Sequence, residues 1–298
     1  MKFAGELAAL GTAGCWAIGS NLFTAAGRRM GAVVLNRQRI VVAALLLATT
    51  LTLTRGAPWP LWATGSQVAI LALSGVVGFV FGDTFFFRSL VILGAGRAGL
   101  LLSLSPLITA AIGWPVLGER LTATAFLGMA LAVGGVAWVM MDQGTRQHAS
   151  RHGRLATGVV SGLLAALGQS GGYVLSKLAL RSGIDPLSAN TIRITAAAIA
   201  IWSLAALQRQ VTPTVRALRD RRGAAFMVGG AILGPVVGVV LSLVALQFIE
   251  AGVAASITAV YPILALAISA RFHGEPFTAR SVVGAVVAVV GVILLFLR

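Results

Sequence analysis

Residues 95–122 read AGRAGLLLSLSPLITAAIGWPVLGERLT, and residues 251–278 read AGVAASITAVYPILALAISARFHGEPFT. The second stretch lies 156 residues after the first, and in both a proline is followed thirteen residues later by the glutamate of a Gly-Glu pair. The same offset aligns further positions: Ala95-Gly96 with Ala251-Gly252, Gly78 with Gly234, Gly82 with Gly238, and Gly128 with Gly284. Repetition at one fixed offset predicts that the chain consists of two halves with a common fold.

The composition predicts a membrane protein. Of the 298 residues, 58% are hydrophobic and only 10% are charged, whereas a soluble domain carries about 25% charged residues. The single cysteine, Cys15, excludes a disulfide-rich secreted domain. The net charge of +15 does not indicate a nucleic-acid binder, because the arginines punctuate apolar runs and the sequence has no polar domain on which a basic face could form.

Ten apolar segments are long enough to cross a bilayer, which takes roughly 20 residues. They are predicted to be helices, because backbone groups cannot remain unpaired in lipid and the segments lack the alternation of barrel strands. The segments are Phe3–Ala26, Val33–Leu53, Ser66–Ile92, Ala98–Leu117, Thr122–Met141, Leu155–Leu180, Leu187–Leu207, Ala224–Ile249, Ala254–Phe272 and Ala279–Leu297. The predicted fold class is therefore an all-α membrane protein.

The ten spans divide into two repeats of five, residues 1–143 and 155–298, joined by a basic connecting loop at 144–154. An odd number of spans per repeat predicts that the second repeat is inverted relative to the first, as in many secondary transporters. Lysine and arginine are concentrated in the odd-numbered connections, so the positive-inside rule predicts that these are cytoplasmic and that both termini lie outside.

The pattern resembles the EamA-type transporters of the drug/metabolite transporter superfamily. The resemblance rests on an arginine early in the second helix of each half (Arg39, Arg193) and on proline followed by Gly-Glu around the fourth helix. It covers essentially the whole chain. It implies ten helices, a central cavity between the halves, and secondary transport, commonly the export of amino acids or other metabolites, without a cofactor.

Arg39 and Arg193 are candidate substrate-binding residues. Both lie six or seven residues into their predicted helices, each one turn after an asparagine, Asn36 or Asn190. They could attract a carboxylate or phosphate from a watery cavity, or their side chains could reach back to the lipid headgroups.

Asp83 lies deeper in a span, where an acidic side chain is rare and usually faces the bundle interior or water. It could take up a proton, accept a substrate amine, or neutralise Arg88. The matching position in the second repeat is Val239, so an acid here is a feature of one half only.

Polar residues recur every four positions on two helices that the repeat relates, which predicts a shared cavity. Hydrogen-bonded packing between helices is the alternative. The residues are Gln169, Tyr173 and Lys177 on the sixth helix, with Ser170 next to Gln169, and Trp16, Ser20 and Thr24 on the first, with Asn21 next to Ser20.

Pro106 and Pro262 lie eight residues into their predicted spans. Each could bend its helix as a hinge and leave a free carbonyl near Ser105 or Tyr261, which become candidate cavity residues. A static bend that aids packing is the alternative.

The remaining motifs favour structural roles. The two Gly-x-x-x-Gly motifs beginning at Gly78 and Gly234 predict close helix packing. Glu119 and Glu275 close their helices at the membrane surface, where binding loop amides or a nearby arginine is the expected role.

An enzyme is disfavoured. His148, His152 and His273 all fall in connections, so no span holds a Ser–His pair or a set of metal ligands. A phosphate loop of the Gly-Lys-Ser/Thr type is absent, which excludes ATP hydrolysis as the energy source. The small four-helix multidrug exporters would require an acid in the middle of the first helix, and Glu6 lies too close to its start.

The sequence therefore predicts an exporter of a small polar metabolite, such as an amino acid, that works by alternating access. It is expected in the cytoplasmic membrane as a multi-pass protein, a monomer or a homodimer, with coupled protons or sodium and without metal, cofactor or nucleic acid. A multidrug or lipophilic-cation exporter is the alternative, and an intramembrane enzyme a weaker one.

Overall fold

A computed structural model of the chain describes residues 3–93, 101–144, 155–261, 263–264, 268 and 279–296. All regular secondary structure in these residues is helical. The elements are α1 (Ala4–Met30), α2 (Ala32–Arg55), α3 (Gly65–Gly75), the π-helix π1 (Val76–Gly82), α4 (Asp83–Leu93), α5 (Ser105–Leu117), α6 (Ala123–Gly144), α7 (Leu155–Leu180), α8 (Pro186–Leu207), α9 (Val211–Arg216), a 3₁₀ turn (Ala217–Arg219), α10 (Arg221–Ala231), the π-helix π2 (Ile232–Gly238), α11 (Val239–Phe248), α12 (Ala251–Thr258) and α13 (Ala279–Phe296).

Local sequence signals fix several helix ends. Thr64 and Gln67 form a capping box at the start of α3, so two of its unpaired amide groups are satisfied. Asp185 caps α8 and is followed by Pro186 in the first turn, where a missing N–H costs nothing. Gly56 ends α2 with a φ of 78°, a left-handed conformation that glycine adopts without strain.

The secondary structure repeats with the sequence. The continuous helix α3–π1–α4 and the continuous helix α10–π2–α11 have the same internal boundaries, shifted by 156 residues. Helices α6 and α13 also begin 156 residues apart, at Ala123 and Ala279. Equivalent helices of the two halves each pack against the opposite half. Helix α1 packs against α10, π2 and α11 of the second half, whereas its counterpart α7 packs against α3, π1 and α4 of the first.

The π-helices are a feature that hydrophobic periodicity did not predict. Such segments are rare and often lie at functional sites. Each spans seven residues and contains a Gly-x-x-x-Gly motif. At π1 the motif meets glycines of α7, because a methyl group on Gly168 would lie 2.7 Å from the Cα atom of Gly82. The predicted close packing of this motif is thus confirmed.

Helices α6 and α13 pack through reciprocal glycine contacts. A methyl group on Gly128 would lie 2.9 Å from the carbonyl oxygen of Gly291, and one on Gly135 would lie 2.5 Å from that of Gly284. Since the 156-residue offset relates Gly128 to Gly284 and Gly135 to Gly291, each contact is the repeat-related image of the other. Small residues here let the two backbones approach closely.

The prediction of an unbroken helix over the fourth segment is wrong. Turn residues at 103–104 interrupt it, and α5 begins at Ser105, so Pro106 lies in the first turn of a helix rather than at a kink inside one. Proline is tolerated in this position because its missing N–H would be unpaired there in any case. A matching turn at 259–260 interrupts the ninth segment after α12. Pro262 and Glu275 lie outside the described residues.

Five helices in the described part of the chain are long and apolar enough to cross a membrane, judged by length and composition: Ala32–Arg55, Gly65–Phe86, Ala156–Leu180, Pro186–Leu207 and Arg221–Phe248. Shorter apolar helices cover Ser105–Leu117, Ala123–Trp138 and Val282–Phe296. Large apolar side chains such as Leu53, Trp114 and Phe126 are exposed on the outer surface, where lipid would cover them.

Candidate functional site

A cavity of about 180 Å³ lies between the two halves. Nine of its lining residues come from each half, and most of the lining is apolar. The residues are Thr12, Trp16, Phe79, Asp83, Phe86, Leu102, Ser103, Ser105 and Pro106 from the first half, and Gln169, Tyr173, Arg193, Val239, Ser242, Ala255, Thr258, Ala259 and Tyr261 from the second.

The repeat relates the two walls of the cavity. Ten of the eighteen lining residues form five pairs at the 156-residue offset: Asp83 with Val239, Phe86 with Ser242, Leu102 with Thr258, Ser103 with Ala259, and Ser105 with Tyr261. The backbone framework of the site is therefore repeated, whereas the chemistry is not, because each pair joins different side chains.

Asp83 is held on both of its carboxylate oxygens. Its Oδ2 atom pairs with Arg39 in a buried ion pair between α2 and α4. Its Oδ1 atom accepts a hydrogen bond of 2.7 Å from the Gln169 side chain of α7. Asn36 accepts a 2.8 Å hydrogen bond from Arg39 Nε and so orients the guanidinium. The acid is neutralised by Arg39, 44 residues away, and not by the Arg88 considered from the sequence.

Arg193 contributes a cation to the cavity wall. Its Nε atom donates a 2.9 Å hydrogen bond to Ser74, and its guanidinium lies 4.8 Å from the centre of the Phe79 ring. Among the described residues, no carboxylate lies within 4.0 Å of Arg193. The two repeat-related arginines therefore differ: Arg39 is paired with a carboxylate and Arg193 with neutral groups.

Hydroxyl and aromatic groups complete the wall. The Tyr173 hydroxyl lies among Ser242, Thr258 and Arg193. Ser105 and Ser170 are 3.0 Å apart and join α5 to α7. These contacts place a small number of polar atoms on an otherwise apolar surface, the usual composition of a site for a small organic molecule.

The structure brings seven of the eleven predicted binding residues to the cavity: Trp16, Asp83, Ser105, Gln169, Tyr173, Arg193 and Tyr261. Arg39 lies behind Asp83 as its partner. Ser20 and Asn21 donate to the carbonyl oxygen of Ala17 on their own helix and do not line the cavity. Pro106 does line it, and a hinge role for Pro106 and Pro262 stays a prediction.

Lys177 lies in a second cluster, one helical turn beyond Tyr173. Its ammonium forms a 2.5 Å ion pair with Glu119 and donates a 2.5 Å hydrogen bond to the Ile249 carbonyl oxygen. Glu119 also accepts a 3.0 Å hydrogen bond from the amide of Ala251. The structural role predicted for Glu119 is confirmed. This cluster, the α5–α7–α12 junction, borders an open vestibule of about 510 Å³.

Several lining residues were missed from the sequence. Thr12 precedes Trp16 by one helical turn, so the helical spacing on α1 could have identified it. Phe86 follows Asp83 by three residues on the same helix face, and the repeat offset then leads to Ser242. Phe79 precedes Asp83 by four residues, so the helical spacing around the buried acid could have identified it as well.

In the described residues, no group of three or more histidine, cysteine, aspartate or glutamate side chains is placed to hold a metal ion.

Comparison with known proteins gives a consistent family and fold. The family model described as "EamA-like transporter family" matches residues 3–141 and again residues 156–297. No curated protein matches the chain. A crystal structure of a protein that is 15% identical in sequence matches with a TM-score of 0.72, over 97% of this chain and 95% of that one. At this identity the structural likeness shows the fold alone.

Proposed function

Because the chain belongs to the EamA-like transporter family, we propose that it is a secondary transporter of ten membrane spans, built as two inverted five-helix repeats. The helices that qualify as spans by length and composition, together with the shorter apolar ones, would supply this bundle. The repeats would comprise residues 1–143 and 155–298, with 144–154 as a basic connecting loop.

The observation that carries this proposal is the cavity between the halves. Five repeat-related pairs of positions line it, so exchanging the conformations of the two halves would rebuild a similar cavity with its opening on the other side. That exchange is how inverted repeats produce alternating access around a fixed site. A cavity that is mainly apolar, with a few convergent polar groups, fits a small organic solute.

The proposed substrate is a small polar metabolite such as an amino acid, moved outward across the cytoplasmic membrane. Energy would come from a proton or sodium gradient. Arginine-rich odd-numbered connections would lie in the cytoplasm, and both termini outside. On the proposed cytoplasmic side, the exposed Arg29 at the end of α1 pairs at 2.6 Å with Asp220, the N-cap of α10.

Two alternatives are less well supported. A lipophilic-cation exporter would need an acid whose charge is not already neutralised, whereas Asp83 forms an ion pair with Arg39. An enzyme is disfavoured because the family is one of transporters.

Reconstitution into proteoliposomes tests the proposal. Uptake of a panel of radiolabelled amino acids and organic acids would be measured with and without a pH or sodium gradient. The variant Ala255→Phe fills the cavity wall and should abolish uptake. Its control, Ala130→Phe, adds the same bulk on an exposed helix face and should transport as the wild type does.

If no solute moves under any gradient, the proposed function is wrong. Equal uptake by the wild type and Ala255→Phe would show that transport, if present, does not use this cavity.

A further inference from the structure

The charges at the cavity do not cancel. Among the described residues, three charged side chains lie in its wall or directly behind it: Arg39 and Arg193 contribute two cations, and Asp83 contributes one anion. An unpaired charge inside a membrane-spanning bundle is costly and usually marks a functional group. The excess of one positive charge therefore requires an anion when the site is filled and closed to water.

The charge of Asp83 is already neutralised by Arg39. An amine that binds Asp83 would share its oxygens with Arg39 and Gln169, and it would add a further cation to a site where cations already exceed anions. Displacing Arg39 altogether would leave that buried guanidinium without its carboxylate, and breaking a buried pair in this way is strongly unfavourable. The role of amine acceptor that the sequence suggested for Asp83 is thus disfavoured.

Arg193 has the donors that such an anion needs. A guanidinium carries five N–H groups in a fixed fork, and Ser74 takes the one on Nε. The stack on the Phe79 ring holds the plane of the fork in place at the cavity wall. A planar carboxylate matches this fork with two parallel hydrogen bonds.

The rest of the cavity suits an apolar body. Trp16, Phe86 and Tyr173 present aromatic surface, and Val239 stands where the first half has its acid. The volume of about 180 Å³ is small, since pockets for drug-sized ligands occupy roughly 300–1,000 Å³.

We propose that the substrate class is a small amphipathic monocarboxylate. Its carboxylate binds Arg193, and its apolar body lies against Trp16, Phe86 and Tyr173. The inference rests on the proposed transport function and narrows it. A substrate amine is not required, so deaminated analogues of amino acids should bind as well as the amino acids or better.

Matched solutes test this on the purified wild-type protein in detergent. One series is 3-phenylpropionate, phenethylamine and phenylalanine, and the other is 4-methylpentanoate, isoamylamine and leucine. Within each series the skeleton is constant and only the charged groups change. Ligand-induced shifts in melting temperature and calorimetric titration would be measured. An acid should bind in at least one series, and neither amine should.

Variants then locate the site. Arg193→Gln should weaken binding of the acid by tenfold or more, and Arg193→Lys should retain part of it. Arg181 lies outside the cavity, and nearly half of its side chain is exposed. The variant Arg181→Gln should therefore bind the acid as the wild type does. If Arg193→Gln fails to fold, the comparison of acid with amine on the wild type still decides the question.

Binding of the amines but not the acids would overturn the proposal, and so would failure of both acids to bind. Either result leaves the proposed function intact as long as the proteoliposomes move some solute of the uptake panel. If they move none, the proposed function fails whatever binds.

Discussion

Arg39 of α2 and Asp83 of α4 form a buried ion pair, with each side chain almost fully removed from solvent. Phe23 of α1 lies 5.2 Å from the guanidinium of Arg39, and Gln169 of α7 donates to the other oxygen of Asp83. Four helices from both halves thus meet around one pair of opposite charges. The pair is expected to hold the wall of the cavity in place.

Asp83→Asn should therefore destabilise the protein strongly. Asparagine can still accept from Gln169, but Arg39 would remain as a buried charge without a counter-ion, at a cost of about 3–5 kcal/mol. Thermal unfolding in detergent would measure the loss. The double variant Arg39→Gln plus Asp83→Asn should lose less than the two single variants combined. Strict additivity would show that the two side chains do not interact.

Glu119→Gln should loosen the α5–α7–α12 junction. Glutamine can still accept from the amide of Ala251, but the ammonium of Lys177 loses its counter-ion. Lys177 lies about 6 Å along the helix axis from the cavity residue Tyr173, so the loss should let the vestibule open into the cavity more often.

The variant Thr258→Cys, made in a Cys15→Ser background, reports this opening in detergent solution. The Glu119→Gln change should raise its labelling rate with a water-soluble maleimide several-fold. Arg120→Gln, which removes an exposed charge at the neighbouring position, should leave the rate unchanged. Equal rates in both variants would mean that the junction does not separate the vestibule from the cavity.

Substituting alanine for two adjacent glycines of α6 should change the stability of the protein differently. Gly135→Ala forces a methyl group into the backbone of α13 at Gly284 and Ala288, and overpacking of this kind costs about 1–3 kcal/mol. Gly134→Ala meets nothing within 4 Å and should be neutral or gain up to about 1 kcal/mol from helix propensity. Melting temperatures of the two variants compare them directly. Equal destabilisation would contradict the reciprocal glycine contacts.

The contact between Arg29 and Asp220 should make part of the stability depend on pH and salt. The hydrogen bond from Arg29, together with that from the Gly223 amide, lowers the pKa of Asp220 below its ordinary value. A lowered pKa in the folded state stabilises the protein above the unfolded pKa of about 3.9. That contribution is lost as the pH falls through the folded pKa.

The difference in melting temperature between the wild type and Asp220→Ala should therefore shrink from pH 6 towards pH 3. It should also be smaller in 1 M salt, where the screening length falls to about 3 Å. A difference that is constant over this range would assign the effect to helix capping alone.

The sequence repeat located the framework of the site, because positions 156 residues apart adopt the same local structure. Arg39, Asp83 and Arg193 were identified separately, because charged residues inside apolar segments are rare. The pairing of these charges was not readable. Arg39 and Asp83 are 44 residues apart, and only the packing of α2 against α4 brings them together.

The spacing of polar residues on α7 correctly predicted that they share one helix face, but only part of that face lines the cavity. Gln169, Tyr173 and Lys177 do share one face, yet about 12 Å of helix separates the first from the last. The face therefore passes from the cavity to the junction with Glu119. On α1, Ser20 and Asn21 turn back to their own backbone, an option that short polar side chains have in any helix.

The two π-helices set the rotation of the helices that follow them. Because π1 and π2 occupy corresponding positions in both halves, α4 and α11 begin with the same rotation about their helix axes. One residue more or less in a helix rotates everything beyond it by about 100°. A deletion in one half alone would turn α4 or α11 away from the cavity wall. Asp83 and Val239 can therefore differ in chemistry, whereas the number of residues that precede each of them in its continuous helix must stay the same.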